Sequence, residues 1–263
     1  MSTKLPKDRS LLVLFSVVAI DLIGFGIVVP ILPYLAVQYG ASGTILGIIL
    51  TSYAAMQFLF APLWGRVSDR IGRKTVMVLT MGGVAAGLLI LGAADSLWMI
   101  LVGRIVSGIF AANISVATAY VSDITPPEDR ARGMGLIGAA FGVGFILGPA
   151  LGGGLSHWGY AIPMIAAAGR AALNMMYAGW RLQEPVRHHP VPSEVEASLL
   201  KNRGVFIYCL LNFLLTVGVS QLETVFALFM MDRFGYDARE VAAILVLMAV
   251  VMVVIQGGMI RQL

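Results

Sequence analysis

Eight apolar runs, each close to the ~20 residues a helix needs to cross a bilayer, alternate with short polar breaks along the chain. They run from Ser10 to Tyr34, Gly43 to Trp64, Lys74 to Ala94, Trp98 to Tyr120, Gly133 to Ser156, Gly159 to Arg181, Gly204 to Met231 and Ala238 to Ile260. The pattern predicts an all-α membrane protein of eight spans. The first run is too long and too interrupted by Gly and Pro to read as a cleaved leader, so it is expected to stay in the mature protein.

Composition agrees: 59% of residues are hydrophobic, 12% are charged and the mean hydropathy is +0.88, outside the range of ordinary soluble domains. The charges also give an orientation. Lys4, Lys7, Arg9, Arg66, Arg70, Arg73, Lys74, Arg130, Arg132, Arg181, Arg187, Lys201, Arg203 and Arg261 all fall on one side of the eight spans, 14 of the 18 basic residues. Arg233 and Arg239 fall on the other side, and Arg104 and Arg170 lie within spans. By the positive-inside rule the basic side is cytoplasmic, which puts both termini there in a multi-pass protein of the cytoplasmic membrane. The net charge of +4 is then a matter of topology, and nucleic-acid binding is not expected.

The single Cys209 excludes an internal disulfide, and three His without ligand spacing argue against a metal. No G-x-x-x-x-G-K-[ST] loop is present, which disfavours ATP-driven work by this chain. Neither a cofactor nor enzymatic chemistry is expected.

A weak internal repeat divides the chain. Gln256-Gly257-Gly258-Met259-Ile260-Arg261, after the eighth span, resembles a worn copy of the segment from Gly65, after the second. Aligning Gly258 with Gly65 also brings the start of the seventh span near the start of the first. This fits two six-helix halves related as parallel repeats. The expected domains are a six-helix bundle over 1–181, a polar cytoplasmic linker over 182–203, and the first two helices of a second bundle over 204–263.

Gly65-Arg66-Val67-Ser68-Asp69-Arg70-Ile71-Gly72-Arg73-Lys74 matches the G-x-x-x-D-R-x-G-R-K/R pattern of the major facilitator superfamily. Further stretches are similar to its drug:proton antiporter branch with twelve helices. Asp21 to Pro33 fits D-x-x-G-x-G-x-x-x-P-x-x-P, Gly103-Arg104-Ile105-Val106-Ser107-Gly108 fits the membrane arginine motif, and Gly144 to Gly153 fits the antiporter motif. The resemblance covers essentially the whole chain and is closest to the tetracycline-resistance-like efflux group. It implies that family's fold, with the N-terminal six-helix bundle complete and two helices of the C-terminal bundle.

Within that frame, each motif has a physical reading. Gly72 permits a tight turn between antiparallel helices, while Arg66 and Lys74 hold topology. Asp69 interrupts a basic loop and, with Gly65, Arg70, Gly72 and Arg73, is expected to form a conformational latch on the cytoplasmic side. The resemblance implies that this latch closes against a helix N-terminus of the second half, a contact placed beyond Leu263.

Asp21 lies near the middle of the first span, and Arg104 about two turns into the fourth from outside. A charge at such depth costs about 2.5–3.5 kcal/mol on insertion scales, so a partner or polar cavity is expected. Two readings are open: a static ion pair, or a carboxylate that takes up and releases a proton beside a guanidinium. The resemblance implies the coupling role for both. Gln57, Asn113, Gln221 and Glu223 either line a central cavity or make interhelical hydrogen bonds. Tyr53, Met56, Phe58 and Phe60 read as packing, and Arg170 has no assigned role. Gly144, Gly148, Gly152 and Gly153 allow close helix approach, Pro149 is expected to kink the fifth span, and Pro30 and Pro33 to bend or end the first.

The expected function is efflux of a small amphipathic compound in exchange for protons by alternating access, driven by the proton gradient. A proton moving down 100 mV releases about 2.3 kcal/mol. Partners are then the lipid bilayer, the small-molecule substrate and protons. Tetracycline itself is less expected, because the tetracycline transporters carry an acidic residue in the third span where this chain has Gly87. A sugar or metabolite exporter is the alternative within transporters. An inactive fragment or membrane interaction protein, with self-association supplying a missing wall, is the alternative outside them.

Overall fold

The structure is a computed structural model that describes residues 7–185 and 203–255, with the side chains of 7–9 and 219–224 outside the description. Among the described residues the chain forms helices alone. These are α1 (Lys7–Gln38), α2 (Gly43–Ile71), α3 (Arg73–Gly92), α4 (Leu97–Ile109), α5 (Asn113–Ile124), α6 (Arg130–Leu155), α7 (Ala161–Arg181), α8 (Arg203–Phe234) and α9 (Ala238–Val254). Single 3-10 turns at Pro127–Asp129 and Ser156–Trp158 flank α6.

Five described stretches are long and apolar enough to cross a membrane: Ser10–Gln38, Gly43–Ile71, Arg73–Gly92, Leu97–Ile124 and Pro127–Trp158. The expected sixth span, α7, has the length at 21 residues. It falls short in apolarity because Arg170, Asn174 and Tyr177 recur at helical spacing along it. The worn repeat from Gln256 to Arg261 and most of the linker lie outside the described residues.

Two expectations about continuity are corrected. The fourth span is not one helix: it breaks at Phe110–Ala112, between α4 and α5. The Phe110 ring fills the space left by Gly83 and lies 5.5 Å from the Trp64 ring. Trp64 Nε1 donates to the Ile109 carbonyl at 2.6 Å, and Gln57 Nε2 to the Ala111 carbonyl at 2.9 Å. Side chains of α2 therefore satisfy carbonyls at the break, the condition for irregular backbone at membrane depth. Of the two readings of Pro30 and Pro33, ending the first span is excluded, since α1 runs on to Gln38 with both inside it; Pro149, expected to kink the fifth span, lies inside α6.

The molecule divides into two compact units, one holding α1–α7 with α9, the other holding α8. In the first, α1 is central and buries Leu14, Val17, Val18, Ile31, Leu32 and Leu35 against its neighbours. Its seam with α6 is made of glycines. A Cβ at Gly26 would fall 2.6 Å from the Gly144 carbonyl, one at Gly148 2.5 Å from Gly26 Cα, and one at Gly152 2.8 Å from the Ile27 carbonyl. The other side of α6 meets α9, where a Cβ at Gly153 would fall 2.5 Å from that of Ala242. The start of α9 is fixed by a capping box between Asp237 and Glu240. Tyr34 donates to the Tyr236 carbonyl there at 2.8 Å, and Arg239 reaches His157 Nδ1.

Candidate functional site

Asp21 sits half-buried in the middle of α1. Its Oδ2 accepts a hydrogen bond from Asn113 Nδ2 at 3.1 Å, and Asn113 Oδ1 accepts from the Thr80 hydroxyl. A chain of polar groups thus crosses from α3 through the first residue of α5 to α1. The break before Asn113 frees that residue to open a helix and turn its amide inward. Both Asn113 and Thr80 are fully buried.

The cation beside Asp21 is Arg170. Its Nη2 donates to the Asp21 carbonyl at 3.4 Å, and the guanidinium occupies the space that a Cβ at Gly24 would need. Asn174 donates to the Val17 carbonyl at 2.9 Å, and Tyr177 shares a 3.1 Å hydrogen bond with Ser16. The polar stripe of α7 is laid along α1, which explains why a helix of lower hydropathy is retained inside the bundle.

Arg104 does not pair with Asp21. It is buried with its guanidinium carbon 4.1 Å from the centre of the Tyr53 ring, a cation–π contact with α2, and its Nε has no hydrogen-bond partner among the described residues. Tyr53 is within electrostatic reach of both Arg104 and Asp21. From Tyr53 a row of half-buried aromatic rings continues. Phe25 is 6.0 Å from Tyr53, Phe145 is 6.3 Å from Phe25, and Phe141 is 6.2 Å from Phe145. This row spans α2, α1 and α6 beside Asp21, one turn from it at Phe25.

A groove of about 740 Å³ opens nearby on α2 and α5, lined by Ala54, Gln57, Phe58, Pro62, Ile114 and Ser115 among others. Gln57 therefore both lines a cavity and caps the helix break. Gln221 and Glu223 fall within α8, but their side chains lie outside the described residues.

The charged junction after the second span is mostly helix. α2 continues through Ile71, and Gly72, with φ of +114°, is the one residue between α2 and α3. Arg73 pairs with Asp69 at 2.6 Å and with Asp123 at 2.9 Å and donates to Ser68. Asp69 and Arg70 are exposed, and a Cβ at Gly65 would meet open space. Glu184, which the sequence did not single out, accepts the backbone N–H groups of Arg73 and Lys74. A carboxylate at a helix N-terminus meets orphan donors and the favourable end of the dipole. Tyr120 donates to the neighbouring Gln183 carbonyl, fixing the same segment. The antiporter-motif glycines divide between two neighbours, Gly144, Gly148 and Gly152 facing α1 and Gly153 facing α9.

Thr80, Arg170, Asn174, Tyr177, Glu184 and the ring row of Phe25, Phe141 and Phe145 were missed as site residues. The 170, 174, 177 spacing was the available signal for three of them.

Membrane-length helices that enclose a half-buried carboxylate, a buried arginine and a half-buried one define a polytopic membrane protein. The profile of the Major Facilitator Superfamily matches residues 14–262, and the chain belongs to that family. It is 36% identical over 246 residues to the class C tetracycline resistance protein of Escherichia coli, covering 89% of this chain and 62% of that protein. It is 32% identical to Multidrug resistance protein 2 of Bacillus subtilis (strain 168), covering 93% of this chain and 64% of that protein. The crystal structure of the human organic anion transporter MFSD10 (TETRAN) superposes with a TM-score of 0.78 at 25% identity, covering 97% of this chain and 72% of that one. The chain thus spans less than two thirds of the length of these bacterial relatives.

Proposed function

We propose that the protein acts in proton-coupled efflux of small, lipophilic, aromatic or amphipathic compounds, with Asp21 as the proton-carrying group. The observation that carries this reading is the placement of Asp21, half-buried at mid-helix, hydrogen-bonded to Asn113 and bordered by the aromatic row of Tyr53, Phe25, Phe145 and Phe141. A carboxylate there changes charge by one on protonation, beside rings that offer apolar area and π-faces to a planar guest. The kinship with tetracycline and multidrug resistance proteins supports the same class of cargo. The cytoplasmic membrane, with the basic junctions of Arg66, Arg73 and Arg130 on the cytoplasmic side, is the proposed setting.

The test is proton-gradient-driven accumulation of a fluorescent dye or tetracycline in everted membrane vesicles. Accumulation that an uncoupler and Asp21→Asn both abolish, at matched expression, is expected. Correct insertion without accumulation across a broad panel would overturn the reading and return the chain to a membrane interaction role. A second reading, an organic anion as cargo, is favoured by Arg104, buried with an Nε unpartnered and no ion pair among the described residues. Competition of dye uptake by organic anions, lost in Arg104→Gln, would support it.

A further inference from the structure

Arg170, midway along α7, is an arginine that the sequence left without a role, and its surroundings are built for it. α1 carries Gly24 three residues after Asp21, and the space that a side chain at Gly24 would fill is taken by the Arg170 guanidinium. Its Nη2 donates to the Asp21 carbonyl at 3.4 Å, while Nε and Nη1 are buried with no hydrogen-bond partner among the described residues. A guanidinium with two unsatisfied nitrogens is an expensive group to keep in a bundle for the sake of one long hydrogen bond. Its compensation is electrostatic, because the Asp21 carboxylate lies within its field. Among the described residues, the other groups facing Asp21 are neutral Asn113 from α5 and the Tyr53 phenol from α2, and α6 presents glycine and apolar residues at this level. Arg104, the arginine the family resemblance points to, is turned onto Tyr53 instead.

We propose that Arg170 is the positioning cation of the proton site: seated in the notch left by Gly24, it balances the Asp21 carboxylate and sets the proton concentration at which that charge is neutralised. The proton forms an O–H bond on the Asp21 carboxyl, the guanidinium keeps its own protons, and the local charge goes from zero to plus one. That excess charge, next to a guanidinium with unsatisfied donors, favours rearrangement of the α1–α7 contact when the proton is taken up. The inference rests on the reading of Asp21 as the proton carrier, but its test does not require transport.

The test uses dicyclohexylcarbodiimide, which reacts with protonated carboxyls in apolar surroundings. The Asp21 adduct is followed by site-resolved peptide mass spectrometry over a pH series, on the membrane-inserted chain and its variants. Arg170→Gln keeps a donor and similar size but removes the charge, and its Asp21 labelling is expected to persist to higher pH by about one unit or more. Arg170→Lys keeps the charge and is expected to stay near the parent profile. Gly24→Ala, which displaces the guanidinium and leaves the charge in the chain, is expected to move in the direction of the Gln variant and serves where Arg170→Gln inserts poorly. Coincident profiles for all variants would overturn the proposal, as would equal shifts for Lys and Gln, which would make Arg170 a matter of shape. Labelling that shifts as expected while Asp21→Asn vesicles still accumulate dye would sink the antiport reading and leave the charge coupling standing.

Discussion

The Glu184 carboxylate closes on the first turn of α3, accepting the backbone N–H of Arg73 at 2.5 Å and that of Lys74 at 3.2 Å. The charged junction that resembles a latch between halves is therefore held from within the first unit, by the segment that follows α7. Arg73 ties the same junction to Asp69 and Asp123, while Arg70 is exposed. Loss of a helix cap costs about 0.5–2 kcal/mol. Glu184→Ala is expected to lose about 1 kcal/mol of unfolding free energy in detergent. Arg73→Ala should lose a comparable amount and Arg70→Ala less than about 0.5 kcal/mol. Gly72→Ala should be worse than either, because φ of +114° is a region other residues avoid and its Cβ would lie 2.6 Å from the Glu184 carboxylate. Thermal unfolding of the purified variants reads all four.

Trp64 answers for the broken fourth span. Its indole N–H is 2.6 Å from the Ile109 carbonyl, which has left the helical ladder. Trp64→Phe keeps a ring next to Phe110 but leaves that acceptor unmet, at an expected cost of about 1–3 kcal/mol. Gln57→Leu should cost a similar amount through the Ala111 carbonyl and also alter the groove it lines. Unfolding midpoints check the first effect, and a Gln57 variant that loses stability with unchanged dye affinity would confine Gln57 to its structural role.

The α1–α6 seam sorts glycines that look alike in sequence. Gly148→Ala puts a Cβ 2.5 Å from Gly26 Cα, a backbone atom that cannot turn aside, so the helices must part. Overpacking of this kind costs about 1–3 kcal/mol. Gly138→Ala meets nothing within 4 Å and is expected to be neutral or stabilising by up to about 1 kcal/mol. Equal behaviour of the two variants in thermal unfolding would contradict the seam.

Hydropathy made the long helices legible because a bilayer demands continuous apolar length, and that demand is one-dimensional. The break at Phe110–Ala112 was not legible, since no Pro marks it and its carbonyls are met by Trp64 and Gln57 from another helix. The family motifs located Asp21, Arg104, the charged junction and the glycine seam. They could not say which arginine faces Asp21, because depth along a span is readable from sequence while direction around a helix depends on packing. Arg170, Asn174 and Tyr177 did carry a signal in their helical spacing, visible once α7 is treated as amphipathic rather than as scaffold. Glu184 carried none, as its role depends on where the chain leaves α7.

Arg104 and Tyr53 provide the sharpest check on that last distinction. The guanidinium carbon lies 4.1 Å from the ring centre, and Arg104 makes no ion pair with Asp21. A desolvated cation–π contact is worth about 2 kcal/mol and an exposed one about 0.5–1. A double-mutant cycle of Arg104→Gln with Tyr53→Leu, read by unfolding free energy, is therefore expected to show coupling of about 1 kcal/mol. The cycle of Arg104→Gln with Asp21→Asn should come out smaller, within about 0.5 kcal/mol of additive, because the two charges make no ion pair and Arg104 is turned onto the Tyr53 ring. The reverse ranking would mean that the direct pair suggested by the family motif, rather than the arrangement on α2, governs the folded protein.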